Sequence, residues 1–372
     1  MDRPTDPSTH SEGNGSSSGL REERVRALQE MYDAGTPIFK KADLWYIGDQ
    51  IDDIQARPLD EVAGRFIIMP AMNRLNVVDE VMTGRVTNPD VSPDVEEVYT
   101  YPSVYYYSFD VRVANYEYGP ADRFLFSPGE FSYGPVKRNK HTKELIPPTP
   151  DIPAEKVRED LKAAIQRWGP SEHGKAVRQI LTSVITPSLA AKKVVAFALG
   201  SMATKGFVGN AANNYQHALL LLVQECLAAA TANYDDRKPG CFAQDPAYLA
   251  EDKTVLHEAG ITVLQDPRGF VEVDDEAVVI SIAPDVPVKQ IIADIARPAI
   301  IIWDRNSLQD YDAPWEFADP ESSRVKNMLA NEYTEVDFPH HEHLDGLVIY
   351  VRKPRPENGA HARIAGSPLL AA

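Results

Sequence analysis

The sequence predicts an α/β protein: a Rossmann-like, doubly wound and mainly parallel sheet, preceded by a β-rich N-terminal extension. Two observations in the second half carry the prediction. Short continuous apolar runs recur there, as in strands buried on both faces. Between them lie amphipathic helical stretches, and strands that alternate with helices pair in parallel through right-handed crossovers. A third observation sets the boundary. The proline-rich stretch Ile146-Pro147-Pro148-Thr149-Pro150-Asp151-Ile152-Pro153 favours extended polyproline geometry and separates the extension from the sheet.

Taken in chain order, residues 1–19 hold Ser, Gly, Asp and Thr with almost nothing to bury, and are expected to form a disordered tail that can be removed without loss of stability. Residues 20–150 are expected to form the extension. Val25, Leu28 and Met31 are spaced as on one helical face, and Thr36-Pro37 stops that helix. Arg65–Met69 reads as a strand, and Tyr99–Val113 alternates tyrosines and valines as a strand does. Within that segment Tyr99, Tyr101, Tyr105, Tyr106 and Tyr107 are expected to pack a half-buried sheet rather than stack a flat ligand.

Residues 151–353 are expected to form the sheet domain. Val157, Leu161, Ala164, Ile165 and Trp168 share one face of an amphipathic helix. Val194–Leu199 is the first buried strand and ends at Gly200-Ser201. Tyr215, Leu219, Leu222, Val223 and Cys226 trace a long helix, Gly240–Gln244 leads into Asp245-Pro246, and Tyr248–Ala259 is helical. Gly260–Leu264, Ala277–Ile282 and Ala299–Trp303 supply further strands, with a helix over Val288–Ile295. Leu347–Val351 extends the sheet at an edge, and residues 354–372 form a flexible tail.

Open α/β sheets bind ligands outside the carboxyl ends of their strands, near the point where strand order reverses. That rule nominates Gly200, Ser201, Asp245, Pro246, Tyr248, Pro284, Asp285 and Asp304 as ligand-binding residues. A glycine lets backbone approach a ligand, and Asp245 is placed to accept hydrogen bonds from ribose hydroxyls. The full G-x-G-x-x-G is missing, however, and Asp245 lies beyond the spacing of the dinucleotide fingerprint. A turn role for Gly200 and a capping role for Asp245-Pro246 therefore carry equal weight.

At these residues a resemblance emerges. Phe197-Ala198-Leu199-Gly200-Ser201, Asn214-Tyr215-Gln216-His217-Ala218-Leu219-Leu220, Asp245-Pro246 and Leu256–Leu264 together resemble the sensitivity-to-red-light-reduced (SRR-like) domain family over roughly Val194 to Asp304. The resemblance implies a Rossmann-like fold and a regulatory role: circadian timing and light signalling in plants, haem-related regulation in animals, cytoskeletal or stress phenotypes in yeasts. The long extension is similar to that of a divergent, fungal-type member. Two departures stand out. Ala198 replaces a usual glycine, and Ile282–Pro287 replaces a proline-histidine-cysteine-proline segment, which puts any haem or metal role of that His/Cys pair in doubt.

Composition excludes several classes of function. Thirty-eight basic against fifty-five acidic residues give a net charge of −17, which repels nucleic acid and anionic lipid surfaces. No apolar stretch approaches the ~18 residues of a membrane span, and no signal-peptide core is present, so a cytoplasmic protein with the nucleus also open to it is expected. His340, His341 and His343 form the only dense group of metal-ligand types, against the simpler reading of a solvated loop. No nucleophile elbow, P-loop or H-E-x-x-H occurs. Two functions survive. One is a regulatory or interaction protein with a degenerate core and a protein partner. The other is an enzyme or small-molecule binder holding a nucleotide or S-adenosylmethionine at the strand carboxyl ends. S-adenosylmethionine, nicotinamide dinucleotide and haem are the cofactors to test, none supported by a complete motif.

Overall fold

Seven strands of the second half, β1 (Lys193–Phe197), β2 (Gly240–Gln244), β3 (Thr262–Val263), β4 (Ala277–Ser281), β5 (Ile300–Asp304), β6 (Tyr333–Asp337) and β7 (Leu347–Arg352), join in one mixed sheet. Its order is β3-β2-β1-β4-β5-β7-β6. The first five pair in parallel, and β7 runs antiparallel to both neighbours. The protein is described by a computed structural model that covers residues 14–114, 122–205, 210–232, 238–305, 318–344 and 346–354.

The apolar runs form strands because every residue of β4 is buried, and a side chain pointing to either face meets a hydrophobic layer. On one face Val194, Ala196, Val278, Ile280, Ile302 and Ile349 share a core with α3 (Ala154–Trp168), α4 (Glu172–Val184), α5 (Asn210–Thr231) and α6 (Ala250–Glu258). On the other, Val195, Phe197, Val279, Ile301, Trp303 and Val348 meet α7 (Val288–Ile295) and α8 (Ser323–Glu332). Each such side chain contributes roughly 1.5–3 kcal/mol through burial. Among the described residues no helix is long and apolar enough to cross a membrane.

The extension shares that second core. Tyr106 meets Phe270 edge-on at 5.6 Å, and Phe270 stacks on Phe197 of β1 at 4.6 Å. The extension opens with α1 (Asn14–Asp33) and α2 (Lys41–Gln55), followed by a short helical turn over Leu59–Val62. Three small antiparallel sheets follow, pairing Phe66–Met69 with Val77–Glu80, Val95–Tyr99 with both Val86–Ser92 and Pro135–Asn139, and Ser103–Tyr106 with Gly129–Ser132.

Two expectations change here. The alternating segment Tyr99–Val113 is not one strand: it breaks at Tyr101-Pro102, resumes over Ser103–Tyr106 and turns helical over Phe109–Val113. Ser108 Oγ caps that turn by accepting from Val111 N at 3.1 Å, and Pro102 has no N–H to give a ladder. The first helix begins at Asn14, inside the segment expected to be a tail, because an established helix lengthens at the gain of one hydrogen bond per residue. Residues 1–13 and 355–372, the rest of the two expected tails, lie outside the described residues.

Candidate functional site

The nominated residues stand at the carboxyl ends of the strands in two groups. The first links the loops after β1 and β2. Ala198 and Gly200 both take left-handed backbone conformations, with φ of 56° and 71°. Gly200 is required twice over, because a Cβ there would also lie 2.7 Å from the Asn213 side chain. Asn213 Nδ2 donates to Ser201 O at 2.7 Å, tying this loop to the first turns of α5.

Asp245 closes the group. Its Oδ2 accepts from Gly200 N at 2.7 Å and its Oδ1 from Ala247 N at 2.8 Å. Burial raises this carboxyl above the usual range against the pull of those amides, and the charges of Asp285 and Asp252 push the same way. Ser201 Oγ donates to Asp252 Oδ2 at 2.6 Å, and Asp252 also accepts from Met202 N, Ala203 N and Leu249 N at 2.8, 3.0 and 2.9 Å. Tyr248 is buried and its hydroxyl meets His217 Nε2 at 2.8 Å, while His217 Nδ1 meets Asn213 O at 2.7 Å. Pro246 is exposed beside them.

The second group belongs to the loops after β4 and β5. Asp304 Oδ1 accepts from Ala283 N at 2.8 Å, across a loop where Ala283 takes φ of 45°. Pro284 is buried and Asp285 exposed. Asp285 is near enough to raise the Asp245 carboxyl, so the two groups face one another across β1 and β4. Strand order reverses at that pair, since β2 and β3 lie to one side of β1 and β5 to the other side of β4.

Sequence reasoning did not nominate Asp252 and Asn213, which bond the loops of the first group, or Lys289, Ser281 and Trp303, which lie buried beside the second. Asp252 alone left a signal, an acid at the third position of a helix, where it caps the Leu249 amide. A cavity of about 870 Å³ lies elsewhere, at the amino ends of β1 and β2, lined by Ala191, Lys193, Ala230, Pro239 and Phe242 among others.

The histidine segment adds an aromatic cluster at the loop before β7. His341 lies 4.6 Å from His173 and 5.1 Å from Tyr215 between ring centres, and His343 lies 4.8 Å from Tyr215. Burial, then the neighbouring His173 and His343, lower the His341 pKa. Both nitrogens of His173 are occupied, by Trp168 Nε1 at 2.7 Å and Pro339 O at 2.9 Å. His340 is exposed. Among the described residues no three His, Cys, Asp or Glu side chains are placed to hold a metal ion.

Fold and site define a mixed α/β protein whose central sheet gathers hydrogen-bonded polar loops at one end. Residues 177–353 match the family model of the SRR1 domain, a stretch that holds the later part of α4, α5 to α8 and all seven sheet strands. No curated protein matches the chain.

Proposed function

We propose that the chain is a regulatory or interaction protein of the cytoplasm or nucleus, working through a protein partner rather than by turning over a substrate. In this reading the SRR1 domain is the core of a degenerate Rossmann-like, doubly wound unit over residues 151–353. One observation carries it: the polar groups nominated after β1 and β2 bond one another. Asp245 spends itself on Gly200 N and Ala247 N, Ser201 on Asp252, and Tyr248 on His217. Groups so used hold loops and have little left for chemistry.

A second reading, a small-molecule binder, is favoured by the reversal of strand order between β1 and β4 and by the left-handed backbones at Ala198 and Gly200, which bring main chain to that cleft. The two separate on the purified protein and its Asp245→Ala variant, melted with S-adenosylmethionine, nicotinamide dinucleotides, ATP and hemin. The interaction reading expects no ligand to raise the wild-type melting point and Asp245→Ala to cost about 1.5–3 kcal/mol of stability. A ligand that stabilises the wild type and loses affinity in the variant, with stability unchanged, overturns it in favour of the binder.

A further inference from the structure

We propose that the carboxyl ends of β4 and β5 form a binding site for the carboxylate of a small organic acid, with Lys289 as its cationic donor and Ser281 and Trp303 as neutral donors. This goes beyond the interaction reading by giving the protein a small-molecule input.

Lys289, in the first turn of α7, is 0% exposed. Its backbone N donates to Asp319 Oδ1 at 2.8 Å, but its Nζ makes no hydrogen bond. The nearest counter-charge, Asp304 Oδ2, stands 3.6 Å away, and the same carboxylate already holds Ala283 N. The ammonium also faces the Trp303 indole, 5.7 Å from its centre, and its charge reaches the buried Asp319 carboxyl. Ser281 Oγ and Trp303 Nε1 are likewise buried without a hydrogen-bond partner. These two residues are register partners on adjacent parallel strands, so their side chains leave the sheet on one face, the face that carries α7. Three buried donors thus lie unmet on one face of the sheet, at the end where open α/β folds hold ligands.

A buried donor without an acceptor is costly, and an ammonium most of all, so native structures rarely keep one without an occupant. The occupant must bring oxygens. A carboxylate brings two and supplies the charge that Asp304, shared with Ala283, gives only in part. Water brings no charge. A polyphosphate meets Asp245, Asp285 and Asp304 at the same end of the sheet, which disfavours multiple negative charges. Asp304, 20% exposed beside the fully buried lysine, marks the approach from solvent.

The test uses the full chain, melted with sodium acetate or benzoate and, at matched ionic strength, with sodium chloride or phosphate. The carboxylates should raise the wild-type melting point above the chloride baseline, and phosphate should not. Lys289→Met should be as stable as the wild type or more so without carboxylate, because replacing a buried unmet ion by an apolar side chain is neutral or stabilising. It should lose the carboxylate shift altogether. Ser281→Ala should fold normally and show a smaller shift. A wild type indifferent to both carboxylates, an equal response to phosphate, or a full shift surviving in Lys289→Met overturns the proposal. Should Lys289→Met not fold, an undiminished shift in Ser281→Ala overturns it and a reduced one supports it. A failed nucleotide screen leaves this test intact, and failure here leaves the interaction reading standing.

Discussion

At the scale of single residues, the carboxyl end of the sheet is held by side chains turned inward. Asp252 is fully buried and accepts four hydrogen bonds, three of them from backbone amides, of which Ala203 N is shared with Ser201 Oγ at 3.1 Å. Asp252→Ala should therefore cost roughly 3–5 kcal/mol, read from the denaturant midpoint. A loss below about 1 kcal/mol would show that these loops are held by something else. His217 is a second case. Burial pushes its pKa down to about 4, opposed by its bond to Asn213 and the charge of Asp252. The unfolded chain binds this proton near pH 6.5, so the contribution of His217 to stability should fall as pH drops from about 6.5 to about 4, read as a difference between the wild type and His217→Gln that changes over that range. Identical acid limbs in the two proteins would remove His217 from the account.

At the scale of elements, the extension is fastened to the sheet by a few polar staples set in apolar contact. Asp294 of α7 accepts from Ile38 N and Phe39 N at 2.8 and 3.1 Å, and from Arg324 of α8 at 2.7 Å. Arg324 also donates to Tyr32 O at 2.6 Å and Thr36 O at 2.7 Å, with its guanidinium carbon 3.9 Å from the centre of the Tyr32 ring. Removing this fork by Arg324→Ala should loosen the end of the Asn14–Asp33 helix while leaving the strands protected, which amide hydrogen exchange can resolve. Uniform loss of protection throughout would mean that the staple is part of the global core. Arg112 plays a parallel part within the extension. It is fully buried and donates to the carbonyls of Tyr107, Phe124, Leu125 and Pro128.

For the whole molecule, one hydrophobic core contains Leu28, Ile47 and Tyr106 of the extension together with Phe197, Ile301 and Trp303 of the sheet. Both parts should then unfold in a single transition by calorimetry, and two well-separated peaks would contradict the shared core. Alkaline pH should weaken it. Burial pushes the Asp266 carboxyl up to about 7, where it accepts from Tyr106 and Gln244, and that of Asp319 up to about 8. Both keep a proton in the folded state that the unfolded chain has already lost above pH 4. Once His217 is neutral in both states, stability should decline as pH rises from 6.5 to 8, and constant or rising stability there would count against both assignments.

The sequence by itself determined the elements whose signal is local. Four apolar runs over 194–199, 277–282, 299–303 and 347–351 became β1, β4, β5 and β7, because a strand buried on both faces has no polar face and its residues say so directly. It also placed Gly200, Asp245 and Asp304 at one end, since the chemistry of a strand's carboxyl end follows from knowing where the strand stops. Tertiary structure decided what those residues do. Asp245 is bonded to Gly200, forty-five positions away, and Ser201 to Asp252, so the carboxylates offered to a ligand by spacing alone are turned onto backbone by the approach of two loops. Lys289 reads in the sequence as an ordinary polar residue of a short helix. Only the packing of α7 over Trp303 buries it, and burial is a property of the assembled sheet and helices that no neighbouring residue encodes.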